Sequence, residues 1–155
     1  YVSVIVIMHY VLCFFVVHQQ FNMPGFYLFI QDLIIIGFSE EYLYRGVMYS
    51  IMKKENTALA IVLSSLFRGI THAVYPTVVV GGDLSVFLTD CISNIGFGLF
   101  IGYGFIYVFE ESKTLWIPIL LHAVYDYSMG YGWIIFVGTV MYLYIVNKGG
   151  HTRQK

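Results

Sequence analysis

Long apolar runs, separated by short polar or glycine-containing breaks, make up nearly the whole chain. A transmembrane helix needs about 20 mostly apolar residues to cross the hydrocarbon core, and the runs have about this length. The pattern therefore predicts an all-α fold, a polytopic transmembrane helical bundle of about six helices. Their expected bounds are 1–18, 26–53, 57–75, 84–109, 114–129 and 132–147.

The breaks between these runs carry turn-forming residues, as the ends of helices require. No linker or low-complexity tract divides the chain, so we expect a single domain over residues 1–155. Because Tyr1 opens inside an apolar run, we expect further helices to precede it. The predicted breaks are Asn22 to Gly25, Lys53 to Asn56, Pro76 to Gly82, Glu110 to Lys113, and Gly130 to Gly132.

Composition places the chain in the membrane class. It is 59% hydrophobic and 11% charged, with a mean hydropathy of +0.76, whereas soluble domains carry about 25% charged residues. A net charge of -1 and the lack of a basic stripe argue against a nucleic-acid partner. The expected surroundings are a lipid bilayer.

Lys and Arg mark alternate connections of the predicted bundle. The first, third and fifth connections have neither residue, which predicts that both termini are cytoplasmic, because cytoplasmic loops carry the excess of positive charge. The basic positions are Lys53 and Lys54 in the second connection, Lys113 in the fourth, and Lys148, Arg153 and Lys155 in the tail.

Three charged residues interrupt the second apolar run: Glu40, Glu41 and Arg45. An ionised group in hydrocarbon costs several kcal/mol, so such groups normally face a protein interior or a wet cavity. Glu41 and Arg45 have the i,i+4 spacing of an ion pair. Glu40 points about 100° away on an α-helix and is free to face another partner as a general base. The alternative is a structural ion-pair network that fixes helix packing.

Two further polar clusters lie on the third and fifth predicted helices. Arg68 precedes His72 by one helical turn, and His122 precedes Asp126 by one turn. The second spacing suits a metal site or an oriented histidine–carboxylate pair equally well. For each cluster the alternative is a hydrogen bond that serves helix packing.

All three clusters reach similar depths in the predicted bundle. Counted from its basic side at about 1.5 Å per residue, the depths are roughly 20 Å for Glu40, 22 Å for His72, 12 Å for His122 and 18 Å for Asp126. A hydrocarbon core is about 30 Å thick, so all four lie within several Å of its midplane. We therefore expect these four side chains to converge in one site.

The order of these motifs resembles that of the CPBP family of intramembrane proteases, also called the CAAX-protease and bacteriocin-processing or Abi family. Glu40-Glu41-x3-Arg45 is similar to the first motif of that family, His72 to the histidine of its Phe-x3-His motif, and His122-x3-Asp126 to its third motif. The resemblance covers roughly residues 33–128. It includes Gly98-x3-Gly102, a spacing that lets helices pack closely. One position departs: Arg68 stands where the family carries Phe, which predicts either an altered choice of substrate or a member that no longer cleaves peptides.

The resemblance implies an intramembrane endopeptidase, similar to CAAX prenyl proteases, that cleaves a peptide or a membrane protein in the bacterial plasma membrane. It implies that Glu40 activates a water and that His72, His122 and Asp126 hold this water and the oxyanion, directly or through a metal. Glu41 and Arg45 would set the helix geometry. We favour a metallopeptidase in which a divalent metal, zinc, is bound by His72, His122 and Asp126, although the same groups can act without metal.

Two functions of another class remain open at this point. One is a non-catalytic membrane protein, such as a bacteriocin-immunity or scaffolding factor that kept the polar constellation. The other is a proton-coupled transporter that uses Glu and His as a relay. Transporters usually show inverted repeats and broken helices, and the sequence contains no internal repeat.

Overall fold

A computed structural model of the protein describes Met8, residues 23–127 and residues 132–152. These residues form helices joined by short turns, and no strand occurs among them. The first helical path consists of α1 (Met23–Ile30), a π-helical segment (Gln31–Gly37), α2 (Phe38–Glu41), a second π-helical segment (Tyr42–Tyr49) and α3 (Ser50–Met52). It is followed by α4 (Thr57–Val74) with a π-helical extension (Tyr75–Val79), α5 (Leu84–Ser112), α6 (Trp116–Tyr127) and α7 (Gly132–Thr152).

The prediction of an all-α fold is confirmed for the described residues. The predicted helix at 1–18 lies outside them, apart from Met8, so the count of about six helices stays a prediction. The predicted break from Pro76 to Gly82 begins later than expected, because the helical path continues through Tyr75–Val79. Pro76 lies inside this continuous path, where it removes one backbone hydrogen bond, and the path changes from α- to π-helical geometry beside it. The chain turns later, at Gly81, whose φ is +85°.

Side-chain caps explain where two of the long helices begin. Asn56 precedes α4 and its Oδ1 accepts a hydrogen bond from the Leu59 N–H at 2.9 Å. Asp83 precedes α5 and its Oδ1 accepts one from the Val86 N–H at 2.9 Å. Asn and Asp are preferred at such positions because they bind amide groups that have no partner within the helix.

Two helical stretches are long and apolar enough to cross a membrane. They are Thr57–Val79, with a mean hydropathy of 1.4, and Leu84–Ser112, with a mean hydropathy of 1.7. Gly132–Lys148 is apolar but shorter. The membrane character predicted from composition therefore resides most clearly in α4, with its extension, and α5.

The chain divides into two compact units. The terminal unit comprises Tyr1–Tyr42 and Tyr107–Lys155, and the central unit comprises Leu43–Ile106. A single domain over residues 1–155 stays a prediction.

In the central unit, small residues let α4 and α5 approach closely. A Cβ added to Gly69 would lie 2.9 Å from the Asn94 carbonyl oxygen. A Cβ on Gly98 would lie 3.4 Å from the Ser65 carbonyl oxygen, and one on Gly102 would overlap the Ser65 side chain. The close packing predicted for Gly98-x3-Gly102 is thus confirmed.

Candidate active site

The candidate site in the terminal unit is built by α6 and the segment that leads to Glu40 and Glu41. These two elements run antiparallel, since the Phe29 ring lies 5.5 Å from Tyr127 and the Phe38 ring lies 6.2 Å from Trp116. Their backbones approach closely at Gly37. A Cβ there would lie 2.9 Å from the Ile119 carbonyl oxygen and 3.3 Å from the Ala123 amide nitrogen.

Gly37→Ala is expected to lower the free energy of unfolding by about 1–3 kcal/mol, the usual cost of overpacking a core. The atoms that the new methyl group would meet belong to the backbone, so no side chain can move aside. The measurement is denaturant unfolding in detergent micelles. Gly138→Ala in α7 is the matched control, because a Cβ there meets nothing within 4 Å. Equal unfolding free energies for the two variants would contradict the close approach.

His122 is the centre of the site, and it is fully buried on α6. Its Nδ1 lies 2.7 Å from the Oε1 of Glu41, which is also fully buried. Its Nε2 lies 3.4 Å from the Oδ2 of Asp126 and 3.7 Å from the Oε2 of Glu40. Three carboxylates therefore surround one imidazole ring.

The two nitrogens of His122 face different surroundings. The Nδ1 side is closed, since the carboxyl group that it contacts has no exposed area. On the Nε2 side, the side chain of Glu40 is 23% exposed and that of Asp126 is 29% exposed. Glu41 can therefore fix the orientation of the ring by accepting the Nδ1–H. The Nε2 side of the ring is the more open of the two.

Glu40 and Glu41 approach the same imidazole from different sides. Both lie in α2, where neighbouring side chains leave the backbone about 100° apart. Glu41 contacts Nδ1 of His122, and Glu40 lies nearer to Nε2. The expectation that Glu40 faces a different partner from Glu41 was therefore wrong, because both long side chains reach the ring of His122.

A fourth acidic residue, Asp32, was missed by the sequence analysis. It lies on the π-helical segment Gln31–Gly37, which packs against α6. Its charge interacts with those of Asp126 and His122. An available signal was its position in the same apolar run as Glu40 and Glu41.

The other predicted site residues belong to the central unit. Arg45 is buried, and its guanidinium carbon lies 5.1 Å from the centre of the Phe105 ring. Arg68 is buried on α4, and His72 is half-buried one turn later. The structure thus brings Glu40, Glu41, His122 and Asp126 together. That His72 joins them and that Glu41 pairs with Arg45 stay predictions, because the partners lie in different compact units.

A contact between Tyr44 and Thr71 in the central unit was also missed. The Tyr44 hydroxyl lies 2.5 Å from the Thr71 Oγ1, and Thr71 directly precedes His72. Both side chains are uncharged hydroxyls, which cost little in an apolar run, so the sequence pattern does not mark them.

Comparison with known families decides the assignment. The family model described as type II CAAX prenyl endopeptidase Rce1-like matches residues 20–128, more than half of the chain. The chain belongs to this family. The match confirms the resemblance to the CAAX proteases, and it spans all three motif clusters. No curated protein and no solved structure matches the chain.

Membership of the Rce1-like family supports a membrane-embedded protein with protease-type activity. The family assignment agrees with the two membrane-capable helices, α4 with its extension and α5. It also fits the carboxylates around His122, because ionisable groups within a membrane protein are costly and are usually functional.

The donor set predicted for a metal is only partly assembled in the described residues. Among these residues, no group of three or more His, Cys, Asp or Glu side chains has the arrangement of a metal site. Two of the predicted ligands do meet, since His122 Nε2 and Asp126 Oδ2 are 3.4 Å apart. Zinc binds nitrogen and oxygen at about 2.0–2.2 Å, so this pair can reach one ion. The third predicted ligand, His72, lies in the central unit.

Proposed function

We propose that this Rce1-like protein is an intramembrane endopeptidase in which Glu40 activates water for attack on a peptide bond. The observation that carries the proposal is the buried His122, held at Nδ1 by Glu41 and accompanied at Nε2 by Glu40 and Asp126. Such an arrangement supplies a base and a hydrogen-bond donor within a few Å of each other. The proposed location is the bacterial plasma membrane, with both termini cytoplasmic.

In the proposed reaction, Glu40 takes one proton from a water, and the hydroxide adds to the scissile carbonyl carbon. Carboxylates lie beside both nitrogens of His122, and a doubly protonated ring satisfies both sides. Its Nε2–H then donates to the oxyanion, while Asp126 orients the ring and the water. When the tetrahedral intermediate collapses, the carbon–nitrogen bond breaks and Glu40 returns its proton to the leaving amine. We assign His72 to holding the same water.

A zinc ion bound by His72, His122 and Asp126 is an alternative to the doubly protonated ring in this proposal, because His122 would have to bind the ion through an unprotonated Nε2. It would polarise the carbonyl or the water as a Lewis acid. The contact between Glu41 and His122 Nδ1 suits it, because metal-binding histidines usually donate their other N–H to a carboxylate. Elemental analysis of purified protein tests this alternative. Stoichiometric zinc that is lost in His122→Ala would support it, and metal-free protein that cleaves at the full rate would refute it.

The experiment that tests the function uses purified full-length protein in lipid vesicles. Three substrates are compared: a farnesylated CAAX peptide, the same peptide without the lipid, and a single-span transmembrane peptide. Cleavage in ¹⁸O-labelled water is expected to place one labelled oxygen in the new carboxyl group of at least one substrate. No cleavage of any substrate by the wild-type protein, under conditions in which it stays folded, would refute the proposal.

Arg68 is the observation that favours a second candidate, a non-catalytic membrane factor. It is buried at the position where the proteolytic motif carries Phe. If the protein does cleave peptides, Arg68 has a different role. A buried arginine one turn before His72 can bind a substrate carboxylate, as guanidinium groups do with two parallel hydrogen bonds. That role would suit removal of a C-terminal peptide.

Arg68→Phe distinguishes these roles. If Arg68 binds the substrate, the variant is expected to raise KM for a peptide with a free C-terminal carboxylate by about tenfold or more. For the C-terminally amidated peptide, the KM of the variant should stay within twofold of the wild-type KM. If neither protein distinguishes the two peptides by KM, Arg68 has no recognition role. A cellular phenotype without cleavage, in both proteins, would favour the non-catalytic candidate.

A further inference from the structure

We propose that Tyr44 is a positioning residue that fixes His72 through a hydrogen bond to Thr71. The proposal rests on the proposed function, in which His72 holds the reacting water. It concerns the central unit alone, where Tyr44 lies in the π-helical segment Tyr42–Tyr49 and Thr71 lies on α4. The two residues are 27 positions apart in the sequence, so their contact joins two different helical paths.

The direction of the hydrogen bonds follows from the second bond that Thr71 makes. Its Oγ1 donates to the Arg68 carbonyl oxygen at 2.9 Å. The single proton of the Thr71 hydroxyl is used there, so the Tyr44 O–H must be the donor in the 2.5 Å contact between the two hydroxyls. A chain of two hydrogen bonds therefore leads from the buried Tyr44 side chain to the backbone of α4.

This chain ends at the turn that carries His72. In an α-helix, the N–H of residue 72 bonds to the carbonyl of residue 68, which is the carbonyl that Thr71 also uses. The α-helical geometry ends two residues later, at Val74, and the path continues as the π-helical extension Tyr75–Val79. The change in backbone hydrogen bonding therefore lies close to His72. A tie from Tyr44 holds this turn, and with it the direction of the His72 side chain.

The contact also accounts for a tyrosine rather than another aromatic residue at position 44. Its ring is packed in the interior and lies 6.0 Å from the guanidinium carbon of Arg45. Phenylalanine would fill the same space, but it lacks the hydroxyl that reaches Thr71. The substitution Tyr44→Phe therefore removes one hydrogen bond and leaves the packing intact.

The test combines Tyr44→Phe, Thr71→Val and the double variant, with Thr71→Ser as the conservative variant that keeps the hydroxyl. Thr139→Val is the matched control, because Thr139 makes the same kind of bond to a backbone carbonyl, that of Ile135 at 2.8 Å, and lies in the terminal unit. Each variant is purified in full length and assayed in vesicles for kcat and KM. The ring nitrogen resonances of His72 are recorded with ¹⁵N-labelled histidine and assigned with His72→Gln.

Tyr44→Phe and Thr71→Val are each expected to lower kcat about threefold to tenfold with KM unchanged. The double variant should lose no more than the larger single effect, and Thr71→Ser and Thr139→Val should retain the wild-type kcat. The His72 resonances should shift in both damaging single variants and in neither of these two. Multiplicative losses in the double variant, or unchanged His72 resonances, would overturn the proposal. If wild type cleaves nothing, the proposed function fails, while the resonances still decide whether Tyr44 positions His72.

Discussion

Glu40→Gln is expected to lower kcat by about 10²–10⁴, the range that a general base contributes, while the protein accumulates at the wild-type level. Glutamine has nearly the same size and shape, but its amide cannot take a proton from water. The Glu40 side chain is partly exposed, and its Oε2 lies 3.7 Å from His122 Nε2, beyond a direct hydrogen bond. Its loss should therefore affect the chemistry more than the fold. The measurement is kcat in vesicles beside quantitative blotting of the membrane fraction.

The matched control for this variant is Glu110→Gln, which makes the same chemical change on α5. The Glu110 side chain is 29% exposed, close to the 23% of Glu40, and lies 3.9 Å from Lys113 in an i,i+3 pair; surface pairs of this kind contribute about 0–1 kcal/mol. Activity and accumulation of Glu110→Gln should equal those of the wild type. A Glu40→Gln protein that retains more than a tenth of wild-type kcat would exclude Glu40 as the base.

Glu41→Ala is expected to lower the free energy of unfolding by about 3–5 kcal/mol, the usual cost of breaking a buried ionic contact. Glu41 and His122 have no exposed area and lie 2.7 Å apart, so water cannot replace the lost carboxylate. The protein should accumulate poorly and lose activity together with its fold. Unfolding by denaturant in micelles and the amount of protein in the membrane are the two measurements.

Glu41→Gln is the control that isolates the hydrogen bond at this position. Its side-chain oxygen can still accept the Nδ1–H of His122, so most of the stability should be retained. The proposed division of roles between the two glutamates can be tested by comparing how much of each variant accumulates. If Glu40→Gln and Glu41→Ala reduce accumulation to the same extent, the assignment of Glu40 to chemistry and Glu41 to structure is refuted.

Much of the terminal-unit site could be predicted from the sequence, because charges in apolar runs are costly and therefore informative. This reasoning selected Glu40, Glu41, His122 and Asp126, which the structure places together. Counting residues from the basic side of the predicted bundle gave similar depths for the predicted site residues. Whether His72 joins the others cannot be predicted in this way, because depth along one axis does not fix which helices are neighbours.

The features that the sequence did not predict arise from departures from ideal helix geometry. Hydrophobic patterns report a period of 3.6 residues, and the π-helical segments beside Glu40 and Glu41 change that period locally without a change in composition. Tyr44 and Thr71 were missed for another reason, since an uncharged hydroxyl in an apolar run carries a much smaller cost than a charge.

The π-helical segment Gln31–Gly37 makes this part of the chain tolerant of a small change in length. Each backbone hydrogen bond there spans one residue more than in an α-helix, as from Phe38 to Leu33. A π-helical turn therefore holds about one extra residue without turning the helix on either side of it. Removal of one residue between Asp32 and Gly37 would allow regular α-helical hydrogen bonding while α1 and the two glutamates keep nearly the same relative direction.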